Sequence, residues 1–154
     1  MVVELAIGVD YVPMSLETET AENARDVDIT PAGAIGSEVT NTVQVDGEDM
    51  TTIYAILSPA DAAGAYFKIG YMQVDIITNE NLGTGGAYGD TTLDGMTIAL
   101  GYNMDLDDGM FVRAEVAHIE IDGTTLTNTN DSTKSVTADG ITGMGAAVSV
   151  GKSF

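Results

Sequence analysis

The chain has 154 residues, with 5 Lys or Arg against 24 Asp or Glu and a formal net charge of −19 at pH 7. That imbalance argues against a nucleic-acid binder and a polybasic membrane anchor, since both need a basic patch. With no Cys and a single His there is no disulfide framework, no thiolate zinc site and no Cys nucleophile. Mean hydropathy is nevertheless positive, at +0.13. An acidic disordered chain is poor in apolar residues, so here the apolar residues and the acids must be segregated within a folded structure.

No stretch approaches the ~18 consecutive apolar residues of a membrane helix. The N-terminal segment lacks a basic region and is interrupted by Glu4, so it does not read as a signal peptide. Helical periodicity is hard to find, while alternation of period two recurs throughout and marks strands. Six such segments can be drawn, at about residues 2–15, 39–58, 65–78, 92–104, 110–122 and 136–154. The clearest runs through Met96, Ile98, Leu100, Tyr102 and Met104, with Thr97, Ala99, Gly101 and Asn103 between them. The connectors alternate in length. An acidic loop over 16–38 is followed by the short Pro59-Ala-Asp-Ala-Ala-Gly64. A long Gly-rich segment over 79–91 is followed by the short Asp105-Leu-Asp-Asp-Gly109, and a long polar segment covers 123–134. In an antiparallel meander, alternate connections lie at the same end, so all the long ones gather at one end. Transmembrane β-barrels have that asymmetry. The sequence therefore predicts an all-β, antiparallel up-and-down meander of about six strands, forming a single, partial transmembrane β-barrel domain over 1–154.

The two faces of the alternation say which side meets lipid. A soluble barrel turns large apolar side chains inward; a membrane barrel turns them outward and keeps small or polar ones inside. Gly101, Gly143, Gly145, Ala147 and Gly151 would make a poor water-facing surface but a suitable narrow lumen. The charges fall on the same face as these small residues. Glu4, Asp10, Glu48, Lys68, Arg113 and Glu115 are expected to form a lumenal ion-pair cluster. Tyr11, Tyr66, Tyr71 and Tyr102 are expected as outward-facing aromatics at the membrane boundary. The alternation is interrupted in two places. The apolar set moves from Phe67, Ile69 and Tyr71 to Val74 and Ile76, and from Val112, Ala114 and Val116 to Ile119 and Ile121. Bulges, or projection of the strands beyond the bilayer, would account for both. Asp49, on the same parity as Val45 and Ile53, fits neither face.

Residues with catalytic or ligand-binding chemistry are few. Asp105-Leu-Asp107-Asp108-Gly opens like a calcium loop, but Val116 stands where the bidentate Glu belongs, so a tight turn is the better reading. The Gly-rich 83–89 run lacks the Lys-Ser/Thr of a phosphate loop. Asn130-Asp-Ser132 matches a glycosylation sequon. His118 has no triad motif around it and reads as an interfacial side chain. Glu4 with Asp10, or Asp46 with Glu48, could be imagined as a carboxylate dyad, but no pocket motif surrounds either pair. The expectation is no catalysis, no cofactor and no metal.

The chain resembles the small OmpA-like outer-membrane β-barrel proteins of marine alphaproteobacteria. The resemblance is carried by residues 8–25, 78–95, Asp108-Gly-Met-Phe-Val-Arg-Ala-Glu115 and 126–134, and by the terminal Val148-Ser-Val-Gly-Lys-Ser-Phe154. It implies a Gram-negative outer membrane, with lipid and lipopolysaccharide as surroundings and the barrel-assembly machinery as partner. It also implies a structural or small-pore role, and Phe154 as the C-terminal insertion signal. Members of that family carry a signal peptide and two further strands before the segment matching 2–15. The expectation is therefore a piece of an eight-stranded barrel, or a sheet that closes by itself or with a second copy. Two alternatives stand beside it: a soluble, lipocalin-like barrel binding a small apolar ligand, and an acidic calcium-binding surface module.

Overall fold

The computed structural model describes residues 2–28, 35–83 and 85–153. In chain order the strands are β1 (Val3–Val12), β2 (Leu16–Glu17), β3 (Ala21–Asp28), β4 (Ile35–Pro59), β5 (Ala65–Asn81), β6 (Thr91–Asp105), β7 (Met110–Ile121), β8 (Thr124–Thr127), β9 (Ser135–Ala138) and β10 (Ile141–Lys152). The long strands pair antiparallel in the order β1-β4-β5-β6-β7-β10, an up-and-down sheet curled into a half-barrel, as the alternation predicts. β1 and β10 are the edges of the described sheet.

The alternation of connector lengths is real. At one end, the β4–β5 turn closes with the Ala62 amide donating to the Pro59 carbonyl at 3.0 Å. Gly64 there has φ +102, and a Cβ would strike the Asn103 carbonyl, so only glycine fits. The β6–β7 turn is a single 3-10 turn over Asp107–Gly109, with Asp108 and Gly109 both at positive φ. It is a tight turn, not a cation loop. The other end holds the long excursions. The predicted acidic loop over 16–38 is partly strand: β2 and β3 fold back onto the distal half of β4, with Ala21 opposite Val43 and Arg25 opposite Val39. The 123–134 segment likewise contains β8, which with β9 forms a separate two-stranded sheet.

Cross-strand partners share a face, which fixes what each face carries. One row runs Ala6, Ile56, Lys68, Ala99, Ala117, Gly145 on the concave side. The adjacent row runs Leu5, Leu57, Phe67, Leu100, Val116, Ala146 on the convex side. β6 shows the consequence most plainly: Gly95, Thr97 and Ala99 are buried, while Met96, Ile98 and Leu100 are exposed. Leu100 is 69% and Val148 76% accessible, so on these strands large apolar side chains cover the outside of the sheet, and only a few, such as Ile56 and Met72, are buried within it.

Two features explain the breaks in the sequence pattern. The first is a bulge in β4. The register with β5 slips between Glu48 and Thr51, and Asp49 adopts φ +49. One extra residue reverses parity. Below the bulge the even positions of β4 face inward; above it Gly47, Val45 and Val43 face inward, opposite Ile76, Thr78 and Glu80. Asp49 is the bulge residue and accepts the Tyr11 hydroxyl, which accounts for its anomalous parity.

The second is an inversion of polarity along the strands. β5 pairs with β6 without a slip from Ala65 to Ile76, so the move from Phe67, Ile69 and Tyr71 to Val74 and Ile76 is a true exchange of faces. Toward the short turns the convex face is apolar. Toward the long excursions it carries Gln44, Asp46, Glu48, Asp75 and Asn79, with Ile77 the apolar exception, while Val43, Val45, Val74, Ile76 and Leu93 turn inward beside Thr78 and Glu80.

Candidate functional site

The concave face of the lower sheet holds a charge cluster around Lys68. Its Nζ lies 3.0 Å from Glu115 Oε1 on β7 and 3.3 Å from Asp10 Oδ2 on β1. The Lys68 and Glu115 side chains are 11% and 14% accessible; Asp10, on the edge strand, is 52% accessible. The ammonium also sits 4.5 Å from the centre of the Tyr54 ring, a cation–π contact. Glu115 accepts a second bond, from Tyr66 Oη at 2.8 Å. Arg113 lies over Tyr66 and Phe111, at 5.2 and 5.4 Å from their ring centres. Lys68 thus pairs with anions from two other strands, and Arg113 stands beside the cluster on the rings of Tyr66 and Phe111.

Four of the six residues expected to cluster, Asp10, Lys68, Arg113 and Glu115, come together in this way. Glu4 shares the concave face but sits at an exposed position and joins none of these contacts. Glu48 is a correction: the bulge at Asp49 turns it to the convex face, opposite Asp75. Asp46, its partner in the imagined dyad, is buried but saturated by Asn79 Nδ2 at 2.6 Å and Gln44 Nε2 at 3.2 Å.

Among the expected boundary aromatics, Tyr11, Tyr71 and Tyr102 face outward and are about half exposed. Tyr71 donates to Asp94 at 2.5 Å, and Gln73 reaches the same carboxylate at 3.0 Å. Tyr66 is a second correction. It is only 4% accessible and points into the concave face. Its ring occupies the space over Gly101, its cross-strand partner, where a Cβ would collide with it. Tyr54 over Gly8 and Phe111 over Gly151 repeat the arrangement. His118 lies on the convex face near the long-loop end, 3.0 Å from Glu120. Phe154 lies outside the described residues.

Sequence reasoning missed Asn128. It is 4% accessible and ties two excursions together: its Nδ2 donates to the Gly85 carbonyl at 2.9 Å, and its Oδ1 accepts the amides of Asn130 and Asp131. The Thr129 amide adds a bond to the Ala87 carbonyl at 2.8 Å. Its signal was an Asn-rich loop, which does not tell a staple from a tether.

Among the described residues, no group of three or more His, Asp or Glu side chains is gathered to hold a metal ion. No protein family, curated protein or solved structure gives a match to this chain.

Proposed function

We propose that the chain is a membrane-inserted β-barrel domain of outer-membrane type, with a structural or small-solute role and no catalytic centre in its lumen. The observation that carries this reading is the inversion of polarity along the strands. Below it, side chains that would be a core in water face outward. Above it, the same strands turn polar side chains outward and apolar ones inward, as a sheet in water must. A single solvent does not favour both arrangements; a bilayer beneath water does.

The dimensions agree. On β1 the outward apolar run from Val3 to Tyr11 covers roughly 27 Å of strand at about 3.4 Å per residue. With strand tilt, that is of the order of the ~25 Å apolar band of such barrels. The band also slides along the register. At the level of Tyr11, β6 already carries Asp94 and β7 the residue after its end, Asp122; the outward apolar run of β7 is lower, from Met110 to Val116. Displacement of this kind is what tilted strands crossing a flat bilayer require. The acidic excursions then stand in water, and the Lys68 cluster occupies the lumen, where opposite charges pair away from lipid.

A lipocalin-like barrel would need a continuous lining of large apolar residues on the concave face, where the lower sheet has Ile56, Met72 and three rings set among Gly8, Gly70, Thr97, Ala99, Gly101 and the Lys68 charge cluster. The deciding experiment places a Trp probe at Ile98 or Ala99 and measures quenching by brominated lipids. Strong quenching at Ile98 and weak quenching at Ala99 is expected. A chain that stays monomeric and folded in buffer without detergent overturns the reading.

A further inference from the structure

We infer a binding site for a small apolar molecule bearing a protonated amine in the upper part of the molecule, between the large sheet and the β8–β9 hairpin. The site does not depend on the presence of a bilayer. A cavity of about 260 Å³ lies there, just below the ~300 Å³ at which ordinary ligand pockets begin. Val43, Val45, Ile76 and Leu93 line it from the sheet, and Leu126 and Val136 from the hairpin. Val136 remains 49% accessible although it faces this space, so an occupant would remove apolar surface from water.

One charged side chain enters this apolar lining from the sheet. Glu80 is fixed by the Gly-rich loop, its Oε1 accepting the amides of Tyr88 at 2.5 Å and Gly89 at 3.4 Å. Its Oε2 is buried and has no hydrogen-bond partner. A buried carboxylate oxygen without a donor costs free energy that a ligand's donor would recover. Asp122 and Asp139 also line it and add negative charge. An apolar body fits the walls, and an ammonium would pair with the unpartnered oxygen once the side chains that close over it give way; a carboxylate ligand would be repelled by all three acids.

The test uses the full chain in zwitterionic lipid nanodiscs, with NMR of the Ile, Leu and Val methyl groups as readout. The probes are n-hexylamine, 1-hexanol and hexanoate at neutral pH. Hexylammonium should shift the Ile76, Leu126 and Val136 methyls saturably and bind about tenfold or more tightly than hexanol, while hexanoate shifts none. Glu80→Gln, which keeps an acceptor for the loop amides, should erase the preference for the amine and spare hexanol binding. Val136→Trp, at a half-exposed position, should fill the space and abolish both. Asp61→Asn, in the exposed β4–β5 turn at the opposite end of the sheet, should change nothing. Unshifted cavity methyls, equal binding of hexylammonium to the Glu80→Gln chain, or a preference for hexanoate would overturn the site.

Discussion

Tyr66 lies over Gly101, its partner on the neighbouring strand, with its hydroxyl bonded to Glu115. The ring fills the hollow that the missing side chain leaves, and the hydroxyl reaches a carboxylate that Lys68 also holds. Packing and electrostatics on the concave face therefore meet in this pair. Gly101→Val should destabilise the sheet by about 1–3 kcal/mol through overpacking. Combining it with Tyr66→Ala should cost less than the two changes summed, because the collision disappears. Urea unfolding of the refolded chain in micelles, read as a double-mutant cycle, checks this.

Lys68 neutralises two acids from two different strands. Lys68→Met removes that charge and leaves Glu115 with only the Tyr66 hydroxyl, at a cost of about 3 kcal/mol. Glu115→Gln in the Lys68→Met background should recover part of the loss. If the double variant is as unstable as the sum of the single ones, the cluster is not the unit described above.

Leu100 is among the most exposed side chains of β6. On a water-facing surface Leu100→Arg would be nearly neutral. In a bilayer it should cost about 2–4 kcal/mol, whereas Leu100→Ile should cost little. Comparing unfolding free energies in lipid vesicles separates the two environments with a single residue.

Asn128→Ala should leave the long strands intact and free the excursions from each other. Loss of its buried hydrogen bonds should cost about 1–3 kcal/mol locally. Faster amide exchange at Ala87 and Thr129, with unchanged exchange in β5 and β6, is the expected signature.

Asp131, in the water-exposed excursion between β8 and β9, accepts the Thr133 hydroxyl at 2.6 Å and its amide at 3.1 Å, and lies 3.4 Å from Lys134 Nζ. These contacts, the Thr133 hydroxyl first, hold its carboxyl below the ordinary carboxylate range. The folded value is the lower one, so the stabilisation is present above the unfolded value of about 3.9 and is lost as pH falls through the folded value. Thr133→Ala should move the carboxyl titration, followed by NMR, back toward the ordinary range.

The sequence alone carried the meander, its six long strands and the end at which the excursions gather, because alternation and turn residues are local signals. It carried Lys68, Asp10 and Glu115 as a cluster, because parity decides faces wherever a strand is regular. It failed at Glu48 because a single bulge residue, Asp49, reverses parity; its misfit with both faces was visible, but not that the faces exchange at that point. It failed at Tyr66 because the vacancy that admits the ring belongs to Gly101, on another strand. β2 and β3 stayed hidden in the acidic 16–38 segment, where only Leu16, Val27, Ile29 and Ile35 are large and apolar, too few and too scattered to show the alternation of a strand. Asn128 was illegible for a different reason: its partners, Gly85 and Lys134, are brought to it only by the fold.

The division between the two faces of β6 has a consequence for how such a chain can drift over generations. On the proposed reading the neighbour of the convex face is lipid, a fluid that asks a side chain only to be apolar, so Met96, Ile98 and Leu100 could trade identities among themselves almost without effect. The opposite face asks for shape: Gly95 and Gly101 leave no room for a Cβ, and Thr97 and Ala99 are buried, so all four have few substitutes. Tolerance should therefore oscillate with a period of two along the strand, and the freest positions should be the greasiest, the reverse of what holds in a protein whose greasy residues form its core.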